Sequence, residues 1–144
     1  MSQGEIEQLA RKGDLTLTEA QYLDVIRCKT AVLFQGACRV GGLISAAADQ
    51  RVQALDDYGH HLGLAFQMAD DLLDYTLDTA ALGKKVGADL REGKLTLPVI
   101  HTLHQTQGPD RQWITDLIQA GDFTHAQFQR LIDLLQRHGG LEYT

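Results

Sequence analysis

Cysteine and proline are scarce in this chain of 144 residues, at two each, and each scarcity narrows what the protein can be. Cys28 and Cys38 lie ten positions apart with no C-x-x-C spacing, which argues against a disulfide-stapled secreted scaffold and against a thiolate metal site. A reducing, cytoplasmic setting is expected. Only Pro98 and Pro109 stand in the way of helical periodicity. Positive charge is also short: 13 basic residues face 19 acidic ones, a formal net charge of −6. Binding to duplex nucleic acid needs clustered Lys and Arg, so no nucleic-acid partner is expected. Long apolar runs are missing as well. The longest uncharged stretches, such as Val40 to Ala48 and Tyr58 to Ala69, fall short of the ~18 apolar residues that suggest a transmembrane helix, and Met1 to Glu5 is too polar to open a signal peptide.

What the chain does have is apolar residues recurring every three or four positions, the signature of helices. With 44% hydrophobic residues, a chain of this size can bury roughly 70% of its unfolded surface without staples. The expectation is a single all-α domain over residues 1–144. Thr16-x-x-Glu19 and Thr18-x-x-Gln21 both read as capping boxes, opening a helix past Leu23, Ile26, Thr30, Leu33 and Phe34. Gly36, Gly41 and Gly42 weaken its far end but permit close packing, so helix through Ala46 to Ala48 stays open. In the next helix, Leu55, Leu62, Phe66, Ala69 and Leu73 form a stripe expected to press against neighbours. Gly83 to Lys94 reads as an irregular, charged loop. Thereafter Thr96 is placed to cap a helix with Pro98 in its first turn, and helices are expected over Asp110 to Gln119 and Thr124 to His138, the last begun by Thr124-x-x-Gln127 and stopped by Gly139.

Chemistry concentrates in Phe66-Gln67-Met68-Ala69-Asp70-Asp71-Leu72-Leu73-Asp74-Tyr75. At 100° per residue Gln67, Asp71 and Asp74 share a face, with Asp70 at its edge. Like charges ~5.5 Å apart repel by about 3 kcal/mol at an effective dielectric near 20, so a partly buried cluster calls for a cation. Hard oxygen ligands suit Mg²⁺, which prefers one or two carboxylates plus phosphate oxygens. Alone, a D-D-x-x-D is more often a solvated acidic stripe.

Its surroundings point toward phosphate, because Lys84, Lys85, Arg91 and Lys94 follow within twenty-four residues among glycines that let an anion approach the backbone. No P-loop or EF-hand spacing occurs. Lys29-Thr30 lies within an apolar helix, where an ammonium either snorkels outward or needs an anionic partner. His60-His61 and His101-x-x-His104 have helical spacing but no evident third ligand. They read as structural, with His61 able to pair with Asp57. Trp113 and Phe128 read as core.

Five blocks in order, Gly4-Glu5-x-x-Gln8-Leu9, Lys29-Thr30-Ala31, Gly59-x-x-x-Gly63, Phe66-Gln67-x-x-Asp70-Asp71-x-x-Asp74 and Gly83-Lys84-x-x-Gly87-x-Asp89-Leu90-x-x-Gly93-Lys94-x-Thr96-Leu97-Pro98, resemble the trans-polyprenyl diphosphate synthase family. A looser match continues through His138-Gly139-Gly140-Leu141-Glu142. The resemblance implies an all-helical bundle of the isoprenoid synthase type and a prenyltransferase joining an allylic diphosphate to isopentenyl diphosphate with Mg²⁺. By the same resemblance Asp70 is the expected direct metal ligand, with Asp71 and Asp74 at or behind it. Lys29, Lys84 and Lys94 would bind the departing diphosphate, Thr30 and Gln67 would face the allylic carbon, and Asp89 would orient a metal-bound water.

In that family a first Asp-rich motif, nearby arginines and the isopentenyl diphosphate site normally precede the position of Gly4, and none is found here. The chain is therefore expected to be the carboxyl-side part of a larger synthase domain, truncated at both ends and inactive alone. A homodimer is the usual family state. Gly4-Glu5-x-x-Gln8-Leu9 is more similar to medium- and long-chain members than to farnesyl ones. Two alternatives remain: a non-catalytic regulatory or dimerisation half of a heteromeric synthase, and a fragment of a class I terpene cyclase, although the Gly-Lys loop is not typical of cyclases.

Overall fold

The computed structural model describes residues 2–76 and 87–144. Its first helix, α1 (Ser2–Ala10), was not singled out by periodicity, for a physical reason: its buried residue is Gly4, while Ile6 and Leu9 are exposed. A turn follows in which Asp14 accepts from the backbone N–H and hydroxyl of Thr16 at 2.9 and 2.6 Å. Thr16 thus serves an Asx turn, and Thr18 makes the capping box with Gln21. From there α2 (Glu19–Ile26) passes through a π-helical turn at Arg27–Ala31 directly into α3 (Val32–Ile44). The long helix expected from Thr18 past Phe34 is present. It ends before Ala46, which adopts a positive φ of 52°.

α4 (Asp49–Thr76), of 28 residues, folds back along α3. The close approach rests on Gly59 and Gly63, where an added Cβ would fall 2.6 Å from the Phe34 carbonyl oxygen and 2.5 Å from the Ala31 Cα. No side chain fits there without moving a backbone. The inward face of α4 carries Val52, Asp56, Gly59, Gly63, Gln67, Asp71 and Tyr75. This corrects the sequence expectation, since the stripe through Leu55, Leu62, Phe66 and Leu73 is the one left exposed. It lies about 120° around the helix from the centre of the buried face. Small residues and hydrogen-bonding groups make the close α3–α4 approach, with the Phe34–Phe66 ring pair beside them.

The apolar core lies on the carboxyl side. After the one-turn helix α5 (Ala88–Arg91), α6 (Leu97–Gln105), α7 (Gly108–Ala120) and α8 (His125–Arg137) bury Val99, Ile114, Phe128, Leu131 and Leu135 together with Ile26 and Tyr75. Pro98 occupies the first turn of α6 as expected. Thr96 stands at its N-cap position, but its hydroxyl meets Tyr75 Oη at 2.8 Å and makes no side-chain cap. Thr124 and Gln127 form the expected capping box of α8, and Gly139, with φ of 77°, ends that run before α9 (Gly140–Tyr143). Phe128 is core, and Trp113 packs half-buried against its edge under the Arg130 guanidinium. Among the described residues there is no strand, and no helix is long and apolar enough to cross a membrane.

Candidate functional site

The π-helical turn at Arg27–Ala31 contains Lys29 and Thr30, and such turns re-aim side chains that a regular helix would place elsewhere. Thr30 donates its hydroxyl proton to Gln67 Oε1 at 2.7 Å. The Gln67 amide nitrogen donates to Asp71 Oδ1 at 2.8 Å and to Asp70 Oδ2 at 3.3 Å. Asp71 Oδ2 accepts from the Tyr22 hydroxyl at 2.7 Å. Thr30 and Gln67 are therefore hydrogen-bonded to each other.

The three aspartates are not gathered into one cage. Asp70 is exposed. Asp71 is only 5% exposed and has both oxygens hydrogen-bonded. Asp74 accepts from the backbone N–H groups of Ala88 and Asp89, each at 3.1 Å, and so fixes the start of α5. Burial pushes the Asp71 carboxyl up to about 6, against the lowering by its Tyr22 and Gln67 hydrogen bonds. Burial raises Asp74 too, partly offset by the N–H groups it accepts from. In both carboxylates burial, which disfavours the charged form, is the largest cause.

The positive groups flank this ridge. Lys94 bonds Asp89 at 3.2 Å and Glu92 at 2.7 Å. Burial works against its charge, but Glu92 and Asp89 outweigh that and raise it. Asp89 thus faces Lys94. Lys29 finds its partners on α1, with Gln8 Oε1 at 3.2 Å and Glu5 at 3.5 Å. The approach depends on Gly4, where a Cβ would fall 2.6 Å from the Lys29 backbone nitrogen. Arg91 is turned toward the α7–α8 connection, where it engages Asp122 and the Phe123 carbonyl. Lys84, expected to bind diphosphate, lies outside the described residues together with Lys85.

Sequence reasoning missed Tyr22 and Tyr75. Tyr75 follows Asp71 by one helical turn, a local signal that was available. Tyr22 is forty-nine positions from Asp71, so only the fold reveals it. The histidines behave as structural groups: His101 stacks on Tyr143, His60 and His61 meet edge to face, and His61 Nδ1 lies 2.7 Å from the Asp57 carbonyl oxygen rather than its carboxylate. Among the described residues no three His, Cys, Asp or Glu side chains form a ready-made metal cage. The oxygen donors present fit a hard cation that takes one or two carboxylates and completes its shell with water and phosphate oxygens.

An all-α bundle in which an acidic helix face adjoins ammonium groups is the architecture of the isoprenoid synthases, and solved structures of such enzymes superpose on it. A decaprenyl diphosphate synthase from Rhodobacter capsulatus matches with a TM-score of 0.88 at 44% identity, covering 99% of this chain and 44% of its own. A polyprenyl synthase from Caulobacter crescentus CB15, complexed with calcium and isoprenyl diphosphate, matches with a TM-score of 0.88 at 40% identity over 99% of this chain and 43% of its own. In sequence, the octaprenyl diphosphate synthase of Escherichia coli (strain K12) is 40% identical over 144 residues, all of this chain and 44% of that protein. The polyprenyl synthetase family pattern matches residues 1–135, and the chain belongs to that family. It spans less than half the length of these relatives.

Proposed function

We propose that this chain forms the diphosphate-ionising part of a trans-prenyltransferase, which joins an allylic diphosphate to isopentenyl diphosphate in isoprenoid biosynthesis. The observation that carries the reading is the single hydrogen-bonded unit in which Asp74 holds the start of α5 and, through it, the Asp89–Lys94 pair beside the acidic face of α4. Carboxylates for a cation and an ammonium for a diphosphate are thereby built into one rigid piece. The relative solved with calcium and isoprenyl diphosphate supports the same pairing of ligands here.

In this reading Asp70 offers its exposed carboxylate to Mg²⁺, with Asp71 and Asp74 behind it. The ion, when bound, supplies Lewis-acid neutralisation of the diphosphate charge. Lys29, Lys84 and Lys94 hold the leaving diphosphate, while Asp89 keeps Lys94 in place. The oxygens of Thr30 and Gln67 stabilise positive charge developing at the allylic carbon, a preorganised electrostatic contribution. Isopentenyl diphosphate then attacks that carbon, and loss of a proton gives the longer chain. The first Asp-rich motif is not in this sequence, so the chain alone is proposed to be inactive. A homodimer belongs to the same proposal. The family match supports prenyl transfer over the terpene cyclase alternative.

The test is to join residues 1–144 to the part of the E. coli octaprenyl diphosphate synthase that they do not match, and to follow Mg²⁺-dependent incorporation of labelled isopentenyl diphosphate onto farnesyl diphosphate. Incorporation by the hybrid and none by the chain alone is expected. A folded hybrid without incorporation overturns the catalytic reading in favour of a non-catalytic half. Turnover by the chain alone overturns the need for a missing motif.

A further inference from the structure

We infer that Tyr22 is a positioning residue that pins the hydrogen-bond chain from α2 through α4 to Thr30, so that the Thr30 hydroxyl is held with its lone pairs, not its proton, free for positive charge. The inference rests on the prenyl-transfer reading of the site.

The chain has one chemically consistent direction. A carboxylate only accepts hydrogen bonds, whereas a glutamine amide has a donating and an accepting end. Asp71 must therefore meet the Gln67 NH₂, and the Gln67 carbonyl must face Thr30, which donates to it. A hydroxyl whose proton is committed in this way keeps two lone pairs free of Gln67. Tyr22 holds the far end, donating at 2.7 Å to the other Asp71 oxygen. Tyr22, Gln67 and Asp71 are all buried, so water does not substitute freely for a lost bond. The Asp71 carboxylate has no proton to give, so the Tyr22 hydroxyl is the donor of this pair.

Without the Tyr22 hydroxyl, one buried Asp71 oxygen loses its donor and the carboxylate is no longer pinned. Asp71 and Asp70 still only accept, so the Gln67 NH₂ stays on their side, but the amide is no longer held in a fixed position and the Thr30 hydroxyl that donates to it loosens with it. The Thr30 lone pairs would then no longer be fixed beside a cation.

The test uses the hybrid enzyme and the chain itself. In the hybrid, Tyr22→Phe is expected to slow the single-turnover condensation about tenfold or more while the affinity for the allylic diphosphate changes less than about twofold. Thr30→Val is expected to slow the same step. The double variant should be no slower than the worse single variant, because both substitutions break one chain. Losses that multiply, or a Tyr22→Phe rate equal to the parent's, overturn the inference. If the hybrid shows no prenyl transfer at all, that reading fails separately, and the Gln67 side-chain NH₂ signal of the ¹⁵N-labelled chain still decides. Tyr22→Phe should shift that signal and speed its hydrogen exchange about tenfold with helical content retained. An unchanged Gln67 signal overturns the inference.

Discussion

The two faces of α4 reverse the usual division of a helix. Its inward face carries glycines, Asp56, Gln67 and Asp71, while Leu62 and Phe66 on the other side remain 40% and 55% exposed. The core on the carboxyl side follows the ordinary rule, with Leu131 and Leu135 wholly buried on the apolar face of α8. The contrast shows that a hydrophobic stripe locates a helix face that needs covering, not the neighbour that covers it. α3 meets α4 through close backbone approach at Gly59 and Gly63 and through side-chain pairs such as Gln35 donating to Asp56 at 2.7 Å, while the apolar stripe touches α3 through the Phe34–Phe66 ring pair and stays partly exposed.

The contrast breaks first in the apolar core. Phe128 is 2% exposed and stacks with Tyr75 and Phe123. Phe128→Ala should remove about 3–5 kcal/mol of stability, read as a large drop in the denaturant midpoint. A loss under about 1 kcal/mol would place the core elsewhere.

On the polar face the expected effect is a pH dependence. The folded chain holds the Asp71 proton up to about 6, against 3.8 ordinarily. Between those values the native state binds more protons than the unfolded one, so this group's contribution to stability falls as pH rises through the window and is greatest below it. A displacement of about two units corresponds to about 3 kcal/mol. Asp71→Asn removes this loss, so the melting temperature of the variant relative to the parent should climb between pH 4 and pH 7. A pH-independent difference would show that burial of the Asp71 charge costs nothing. Mg²⁺ with inorganic diphosphate should narrow the gap at pH 7.

A smaller effect tests how α3 and α4 meet. Gly63→Val places side-chain atoms where even a Cβ falls 2.5 Å from the Ala31 Cα. Overpacking of this kind costs about 1–3 kcal/mol, and it should push apart the Thr30–Gln67 hydrogen bond one turn away. An unchanged melting temperature together with an intact Gln67 amide signal would contradict the close packing.

Much of the fold was legible in the sequence because local rules act locally. Thr18 with Gln21 and Thr124 with Gln127 start helices where capping chemistry places them, and Gly139 ends one in a positive-φ conformation. The shared face of Gln67 and Asp71 was legible from helical spacing. What was not legible depends on groups distant in sequence. The Thr96 hydroxyl pairs with that of Tyr75, Tyr22 reaches Asp71, and Lys29 settles against Glu5 and Gln8 of a helix whose Ile6 and Leu9 are exposed. The inward side of α4 is marked by Gly59 and Gly63, four residues apart, rather than by its apolar stripe, because close backbone approach and not apolar area selects that face.

The smallest expected effect sharpens the comparison most. Leu62→Gln replaces a partly exposed apolar side chain on α4 by a polar one of similar helix propensity. In the chain alone it should change stability by no more than about 0.5 kcal/mol, since surface substitutions away from special features rarely do more. In the hybrid with the E. coli synthase the same change should cost about 1–2 kcal/mol, because covering the rest of Leu62 makes its apolar surface count. Urea unfolding of the four proteins measures both numbers. A cost of 2 kcal/mol in the chain alone would mean that the apolar face is already packed, and the contrast between the faces of α4 would fall. Equal small costs in both settings would mean that this stripe stays uncovered in the longer protein.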